Sequence, residues 1–526
     1  MRVTSQATAT PIAAADALTA ATSATVSRTR VSVRRRRTTS QARAWDVVLR
    51  AETLALIWRT ALLVGTVTAA AAALGVSLAW LVVRSDVPAR GALAVAAALP
   101  LVIPSYVVAL AFIAAFGPGG LLGEGTWLFG LPGAWLALTL ATYPYVFLLC
   151  AAALRRMDPA LEEAARGLGR TRAQVFREVT LPVLRPSVGA GSVLVALYAL
   201  SDFGVVSLMR YDALTRAVYQ QYRSLFDRTP AAILGLVLVL LTAVVLLAEA
   251  RGRGGGRVAR AGAGTSRPAE PTPLGAWRWP ALAACLAVLA AALVVPVGTL
   301  LSWSARAGQD RPDVGELLGW AWNSVAVSGL AAAAATVAAL PVAALAVRWG
   351  RGWTRGLERA TYAANALPGI VIALALVFFA TRAATSIYQT LPLLVFAYVV
   401  RFLPQAVAGT EDALGRVDPQ LEQAARGLGA TPARVFARVT APLVAPGLLA
   451  GATLVFLSTM KELPVTLLLR PIGYDTLATE VWTATGVSAY AEAALPALLL
   501  IALSAPVVYG LQLRRRPARA ALATQE

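Results

Sequence analysis

Apolar runs of membrane-spanning length recur along the whole 526-residue chain. Crossing a hydrocarbon core of about 30 Å takes about 20 helical residues. Runs near or above that length lie at 56–83, 92–116, 134–154, 188–208 and 231–247, and again at 281–303, 322–347, 362–380, 391–408, 448–469 and 493–513. A backbone in lipid must satisfy its own hydrogen bonds, so such runs fold as helices. The expected fold is therefore an all-α polytopic membrane protein with about 11–12 spans. A chain that is 58% apolar, with mean hydropathy +0.66, holds more apolar side chain than a soluble core takes up.

The formal charge of +20 points to nucleic acid in a soluble chain, but here the arginines cluster at the ends of apolar runs. The preference for arginine on the cytoplasmic side explains them better. If the loop 155–185 is cytoplasmic, strict alternation also puts Arg84, Arg90 and the basic segments 251–267, 348–359, 416–438 and 514–516 inside. The same alternation puts the N-terminus, with its arginine run at 34–37, outside and against that rule. The partner expected from composition is membrane lipid, not nucleic acid. The first apolar run starts beyond residue 50 and exceeds the usual length of a signal-peptide core.

Residue supply excludes several chemistries. With no His, one lysine (Lys461) and two cysteines inside apolar runs (Cys150 and Cys285), neither a disulfide framework nor a structural zinc site can be built. Lys461 lies in Thr-Met-Lys-Glu, so no phosphate-binding G-x-x-x-x-G-K motif exists, and the chain does not hydrolyse ATP itself. A membrane enzyme would need catalytic groups that this chain lacks. No metal ligand set and no cofactor of its own is assigned.

An internal repeat organises the rest. Residues 161–169, Leu-Glu-Glu-Ala-Ala-Arg-Gly-Leu-Gly, recur at 421–429 as Leu-Glu-Gln-Ala-Ala-Arg-Gly-Leu-Gly. Carried without a gap to Gly191 and Gly451, the copies share 18 of 31 positions. The same offset pairs Pro144 with Pro404 and Asp202 with Glu462, while Trp58 aligns with Trp322 after a small insertion. The expected organisation is a basic extension (1–50), a first bundle (51–249), a Gly/Pro/Arg linker (250–280), a second bundle (281–513) and a short tail (514–526). Two tandem bundles of like orientation should be related by an axis along the membrane normal, with a pathway between them.

The repeated polar loop carries most of the functional information. Asp158 and Asp418 are positioned to cap helices whose first residues are Pro159 and Pro419. Those helices should stop at the Gly167/Gly169 and Gly427/Gly429 pairs. Thr171 with Gln174, and Thr431 before Pro432, should start second short helices that end at Pro182 and Pro442. Each bundle thus presents a helix–turn–helix, with small Ala164, Ala165, Ala424 and Ala425 where another surface can approach. The blander reading is an interfacial helix pair that only joins two spans.

The loop resembles that of the permease subunits of binding-protein-dependent ABC importers, marked by E-A-A, three residues, Gly, nine residues, a hydrophobic residue, one more and Leu-Pro. Glu163, Ala164, Ala165, Gly169, Val179, Leu181 and Pro182 fit fully; in the second copy Gln423 and Ala441 depart, while Ala424, Ala425, Gly429, Val439 and Pro442 fit. The resemblance implies a type I importer permease in the cytoplasmic membrane. It further implies one separate, ATP-using ATPase subunit docked under each loop, around Gly167 and Gly427, and an extracytoplasmic solute-binding protein outside. The fused double form is similar to importers of ferric iron, thiamine and a few other small solutes. Residues 460–471 with 475–479 look most like the ferric type, whose six spans per half imply that a first span is missing here. A secondary transporter is the rival reading, but matched docking loops and so few intramembrane charges speak against it.

Asp202, Lys461 and Glu462 lie in or at the end of the fourth span of each half and are the candidate substrate-path residues. The alternative puts Lys461 and Glu462 near the outer boundary, the lysine reaching for water. Pro100, Pro104 and Pro368 are candidate bending points, and Trp127, Phe129, Trp135, Tyr143 and Tyr145 a candidate interfacial belt.

Overall fold

Every apolar run is helical in the computed structural model of the chain, which describes residues 50–123, 125–224, 229–252, 271–308, 311–349 and 352–513. The N-terminal extension, most of the linker and the C-terminal tail expected from the sequence fall on 1–49, 253–270 and 514–526, outside the described residues. The first repeat comprises α1 (Ala51–Arg84), α2 (Arg90–Ala96), α3 (Ser105–Phe116), α4 (Leu131–Arg156), α5 (Pro159–Gly167), α6 (Arg172–Val175), α7 (Leu181–Ser201), α8 (Gly204–Leu208), α9 (Leu214–Arg223) and α10 (Thr229–Gly252). The second comprises α11 (Arg278–Leu289), α12 (Val295–Arg306), α13 (Val314–Trp349), α14 (Trp353–Ala366), α15 (Gly369–Ala383), α16 (Leu391–Leu414), α17 (Pro419–Gly427), α18 (Pro432–Val435), α19 (Ala441–Met460), α20 (Pro464–Leu469), α21 (Leu477–Gly486) and α22 (Tyr490–Leu513).

Among the described residues, eight helices are long and apolar enough to cross a membrane, and a ninth unit joins Arg90–Val102 to Ser105–Phe116 across a 95° bend. Gly369–Ala383 and Tyr490–Pro506 are shorter apolar helices. Four runs expected to be continuous are broken instead. In 92–116 and 362–380 the break falls at Pro104 and Pro368, both extended (ψ 144° and 136°) and both lacking the N–H that would continue the helix. In 188–208 and 448–469 the helix stops at Asp202 and at Lys461, and a new short helix begins.

The bent unit still crosses. Arg84, at the end of α1, donates to the carbonyls of Leu154 and Met157 at the end of α4 (3.1 and 3.2 Å), while Trp135 near the start of α4 donates to Thr66 (3.3 Å). The two helices are therefore parallel, and the chain must traverse the layer between them.

Each repeat is built on the same three helices: α1, α4 and α7 pack together, as do α13, α16 and α19. Small residues let the backbones approach. At Gly75 an added β-carbon would lie 2.7 Å from Val146 Cβ and 2.8 Å from the Phe147 nitrogen, and at Gly191 it would lie 2.9 Å from Val146 Cα. The repeats also clasp each other, α3 against α12 and α10 against α15. Tyr143, expected at the interface, is instead in the core, because α4 is the central helix of its triplet; Trp127 and Trp135 are exposed as an interfacial belt requires.

Candidate functional site: paired loops and broken helices

The two loops fold alike because their capping residues are alike. Asp158 Oδ1 accepts from the Ala160 N–H (3.0 Å) and Asp418 Oδ1 from the Gln420 N–H (2.9 Å). Gly169 and Gly429 take φ of 80° and 81°, the left-handed turn that separates α5 from α6 and α17 from α18. The Thr171 N–H donates to Gln174 Oε1 (2.8 Å) and the Gln174 N–H to Thr171 Oγ1 (3.4 Å), a reciprocal cap. The expectation that Pro182 and Pro442 end the second helix is corrected. Arg172–Ser201 and Pro432–Met460 are continuous helices, each with a wide π-turn (Phe176–Thr180, Phe436–Thr440) that brings the proline in within the first turn of α7 or α19. A proline placed there interrupts no regular i→i−4 ladder.

What ties each loop to its bundle is a carboxylate that sequence reasoning passed over. Glu162 Oε1 accepts from the Thr180 hydroxyl (2.8 Å), and its other oxygen lies 3.8 Å from the Arg84 guanidinium. Glu422 repeats the arrangement with Thr440 (2.6 Å) and Arg348, whose guanidinium grips both carboxylate oxygens. Glu163 and Gln423, the positions singled out by the motif, are exposed, as are Ala164, Ala424, Gly167 and Gly427, while Ala165 and Ala425 are half-buried. Leu181 and Pro182 are half-buried, and Pro442 is exposed. The signal was in the repeat: Arg84/Arg348, Glu162/Glu422 and Thr180/Thr440 are identical in both copies, whereas Glu163 is replaced by Gln423.

The anchors are not equivalent. Arg84 is spent mainly on the C-terminal carbonyls of α4, whereas Arg348 is bidentate to Glu422, which Arg426 also approaches at 3.7 Å. The Arg348 hydrogen bonds hold the Glu422 carboxyl below its ordinary value, with Thr440 and Arg426 assisting against the effect of burial. A carboxyl depressed on folding stabilises above its unfolded pKa, about 4.3, and that contribution is lost as pH falls through the folded value. Amide exchange of residues 419–427, corrected for intrinsic rate, should stay flat from about pH 8 to 5 and rise below about pH 4. A rise already near pH 6 would show that Glu422 is not the anchor.

Both loops project an unpartnered leucine at the turn: Leu168 is 84% and Leu428 90% exposed. The two tips stand in matching positions of the repeat.

Deeper in the bundle, the repeat-related carboxylates Asp202 and Glu462 cap the short helices that follow the breaks. Asp202 accepts from the Val205 N–H (2.9 Å) and the Ser105 hydroxyl (2.7 Å), which itself accepts from Tyr198 (3.0 Å). Glu462 accepts from the Val465 N–H (3.2 Å) and pairs with Arg401 (3.2 Å). Ser105 and Gly369 are corresponding positions after the break prolines, and an added β-carbon at Gly369 would collide with the Arg401 guanidinium. The glycine leaves room for the longer Glu–Arg pair where the first repeat uses Asp and Ser. Lys461 bridges the repeats, donating to the Leu101 carbonyl in the bend of the first (2.6 Å). Also across the seam, the Phe203 ring of the first repeat packs at a tilt on Trp482 of the second (4.9 Å) and on its own neighbour Tyr219 (4.7 Å).

Two like bundles, with broken spans meeting at a shared seam and a rigid helix pair protruding from each, define a polytopic transport permease. The chain belongs to the binding-protein-dependent transport system inner membrane component family, whose model matches residues 71–251 and again 319–515. It is thus an ABC importer permease with two permease units in one polypeptide, a multi-pass protein of the cytoplasmic membrane. It is 32% identical over 475 residues to an Fe(3+)-transport system permease protein of Haemophilus influenzae, covering 89% of this chain and 91% of that one. It is also 36% identical over 137 residues to a molybdenum transport system permease protein of Escherichia coli (25% of this chain, 60% of that one). A sulfate transport system permease protein of Salmonella typhimurium is 32% identical over 177 residues (32% and 62%).

Proposed function

We propose that this chain carries ferric iron across the cytoplasmic membrane by alternating access, driven by two copies of a separate ATPase, one under α5 and one under α17. The observation that carries the reading is the pair of exposed leucine tips, Leu168 and Leu428, on helices rigidly tied to α1 and α13 through Glu162 and Glu422. ATP-driven closure of the ATPases would push α5 and α17 together, and the Glu–Arg anchors would pass that movement to the ends of the long helices. The chain itself needs no catalytic group and no bound nucleotide for this role. A solute-binding protein would deliver cargo on the opposite face. Similarity along nearly the whole chain to a ferric permease favours iron over the solutes of the relatives that match only part of it.

Burying one leucine in a partner's groove stabilises by about 1.5–3 kcal/mol, so a charge in its place should weaken each dock by roughly tenfold or more. Leu168→Glu with Leu428→Glu should abolish co-purification of the ATPase and reduce ATP-dependent iron uptake to background, with each single variant intermediate. Retention of the ATPase and of uptake in the double variant would overturn the docking reading. The solute is tested separately: a partner binding protein that captures thiamine or a polyamine instead of ferric iron would overturn that part alone.

A further inference from the structure

On the side away from the polar loops, a cavity of about 420 Å³ opens between α8 and α9 of the first repeat and α21 of the second. Its level is set by α9, whose Leu214 N–H donates to Thr60 Oγ1 (3.0 Å), about 36 Å along α1 from Arg84. Three arginines line it, Arg210, Arg216 and Arg223, and none of its lining residues is Asp or Glu. Arg216 is bound by Asp212 (2.6 Å), which also holds Arg59 (3.0 Å). Among the described residues, Arg210 and Arg223 have no carboxylate partner; they lie over the faces of Phe129 (4.8 Å) and Tyr219 (5.9 Å). A guanidinium stacked on a ring keeps its edge N–H groups free for bidentate oxygen ligands.

Arg210 carries a further mark. It takes φ +53°, closing α8 in the conformation usually left to glycine, with the Tyr211 N–H bonded back to the Val206 carbonyl (2.8 Å). An arginine where the backbone favours glycine points to a role for its side chain. Tyr219 and Trp482 line the cavity and pack on Phe203 behind it, and Lys461 ties the two repeats at the Leu101 carbonyl. Asp202 and Glu462, the carboxylates nearest the route, already have their oxygens engaged. From the open side inward, cargo therefore meets cations first.

We propose that this arginine cavity is an oxyanion site, and that cargo passes it as a complex of net negative charge: a ferric ion enclosed by carboxylate or phosphate oxygens, not a bare trivalent ion. The field of three guanidinium groups repels a naked cation and concentrates an anionic chelate at the gate. The inference rests on the ferric importer reading for the metal, but not for the oxyanion chemistry.

The test uses the full chain with its ATPase in lipid nanodiscs and equilibrium binding of four radiolabelled probes: ferric citrate, citrate alone, molybdate and ferric ion in a neutral hydroxamate chelate. Ferric citrate should be retained, and Arg210→Ala with Arg223→Ala should weaken it at least tenfold, while the corresponding lysine pair, which keeps the charge, loses only a few fold. Arginine-dependent retention of molybdate but not ferric citrate would uphold the oxyanion site and remove iron as the cargo. Equal binding of the neutral hydroxamate, or unchanged ferric citrate affinity in the alanine variant, would overturn the proposal. So would a wild type that binds none of the anions while the alanine variant loses only the binding protein, since the arginines would then serve a protein carboxylate. Co-purified ATPase, measured on the same samples, reports independently on the importer reading.

Discussion

Glu462→Ala should destabilise the protein by about 3–5 kcal/mol, because it leaves the Arg401 guanidinium charged and unpaired in the interior of the bundle. Glu462 and Arg401 side chains are 7% and 16% exposed, so little water is at hand to take over the lost partner. Arg401 has no room to turn away, since it already fills the space beside Gly369. Removing both partners should recover much of the loss, since a buried pair stabilises little relative to apolar filling. Asp202→Ala, which strands only the Val205 N–H and the Ser105 hydroxyl, should cost less, about 1–3 kcal/mol. Denaturant unfolding in detergent gives the order directly. If the double variant Arg401→Ala, Glu462→Ala is no more stable than Glu462→Ala, the two side chains are not coupled and the account of the break fails.

Gly75→Leu should be the other severe substitution, destabilising by about 1–3 kcal/mol or more, because its β-carbon meets the Val146 side chain and the Phe147 backbone and the helices must part. Gly65, two to three turns away on the same helix, has nothing within 4 Å, so Gly65→Leu should change stability by no more than about 0.5 kcal/mol. The comparison holds helix propensity and added apolar area constant and varies only the neighbour. Thermal unfolding midpoints that move equally for both would show that α1 and α4 are not in close backbone contact.

How much of this was legible in the sequence depended on the kind of signal. Caps and turns are local chemistry, and Asp158–Pro159, Thr171 with Gln174 and the left-handed Gly169 were readable from the residues alone. The apolar helices were readable in position but not in number as spans: about 11–12 were expected, and among the described residues eight, or nine with the bent pair, are long and apolar enough to cross. Span continuity was not readable, because the chain on both sides of Pro104 and of the Lys461–Glu462 pair is mostly apolar and a hydropathy pattern does not register a break there. The prolines named the first kind of break; the second is made by carboxylates that cap a new helix, which only tertiary packing reveals. The anchor of each loop was missed for a geometric reason. Adjacent residues of a helix point about 100° apart, so Glu163 faces outward while Glu162 faces Arg84 and Thr180. The arginine cavity had a sequence trace as well: Arg216, Tyr219, Gln220 and Arg223 follow the i, i+3, i+4, i+7 spacing of one helical face. Arg210 comes from a turn and had none.

Lys461 has no lysine counterpart in the first repeat, where Ser201 takes its place. Its bond to Leu101 is therefore a contact that two identical subunits would be obliged to make twice, once from each lysine. Joining the subunits in one polypeptide lifts that obligation. One arm can supply the donor and the other the acceptor, so the direction of their asymmetry is settled at synthesis and not at assembly.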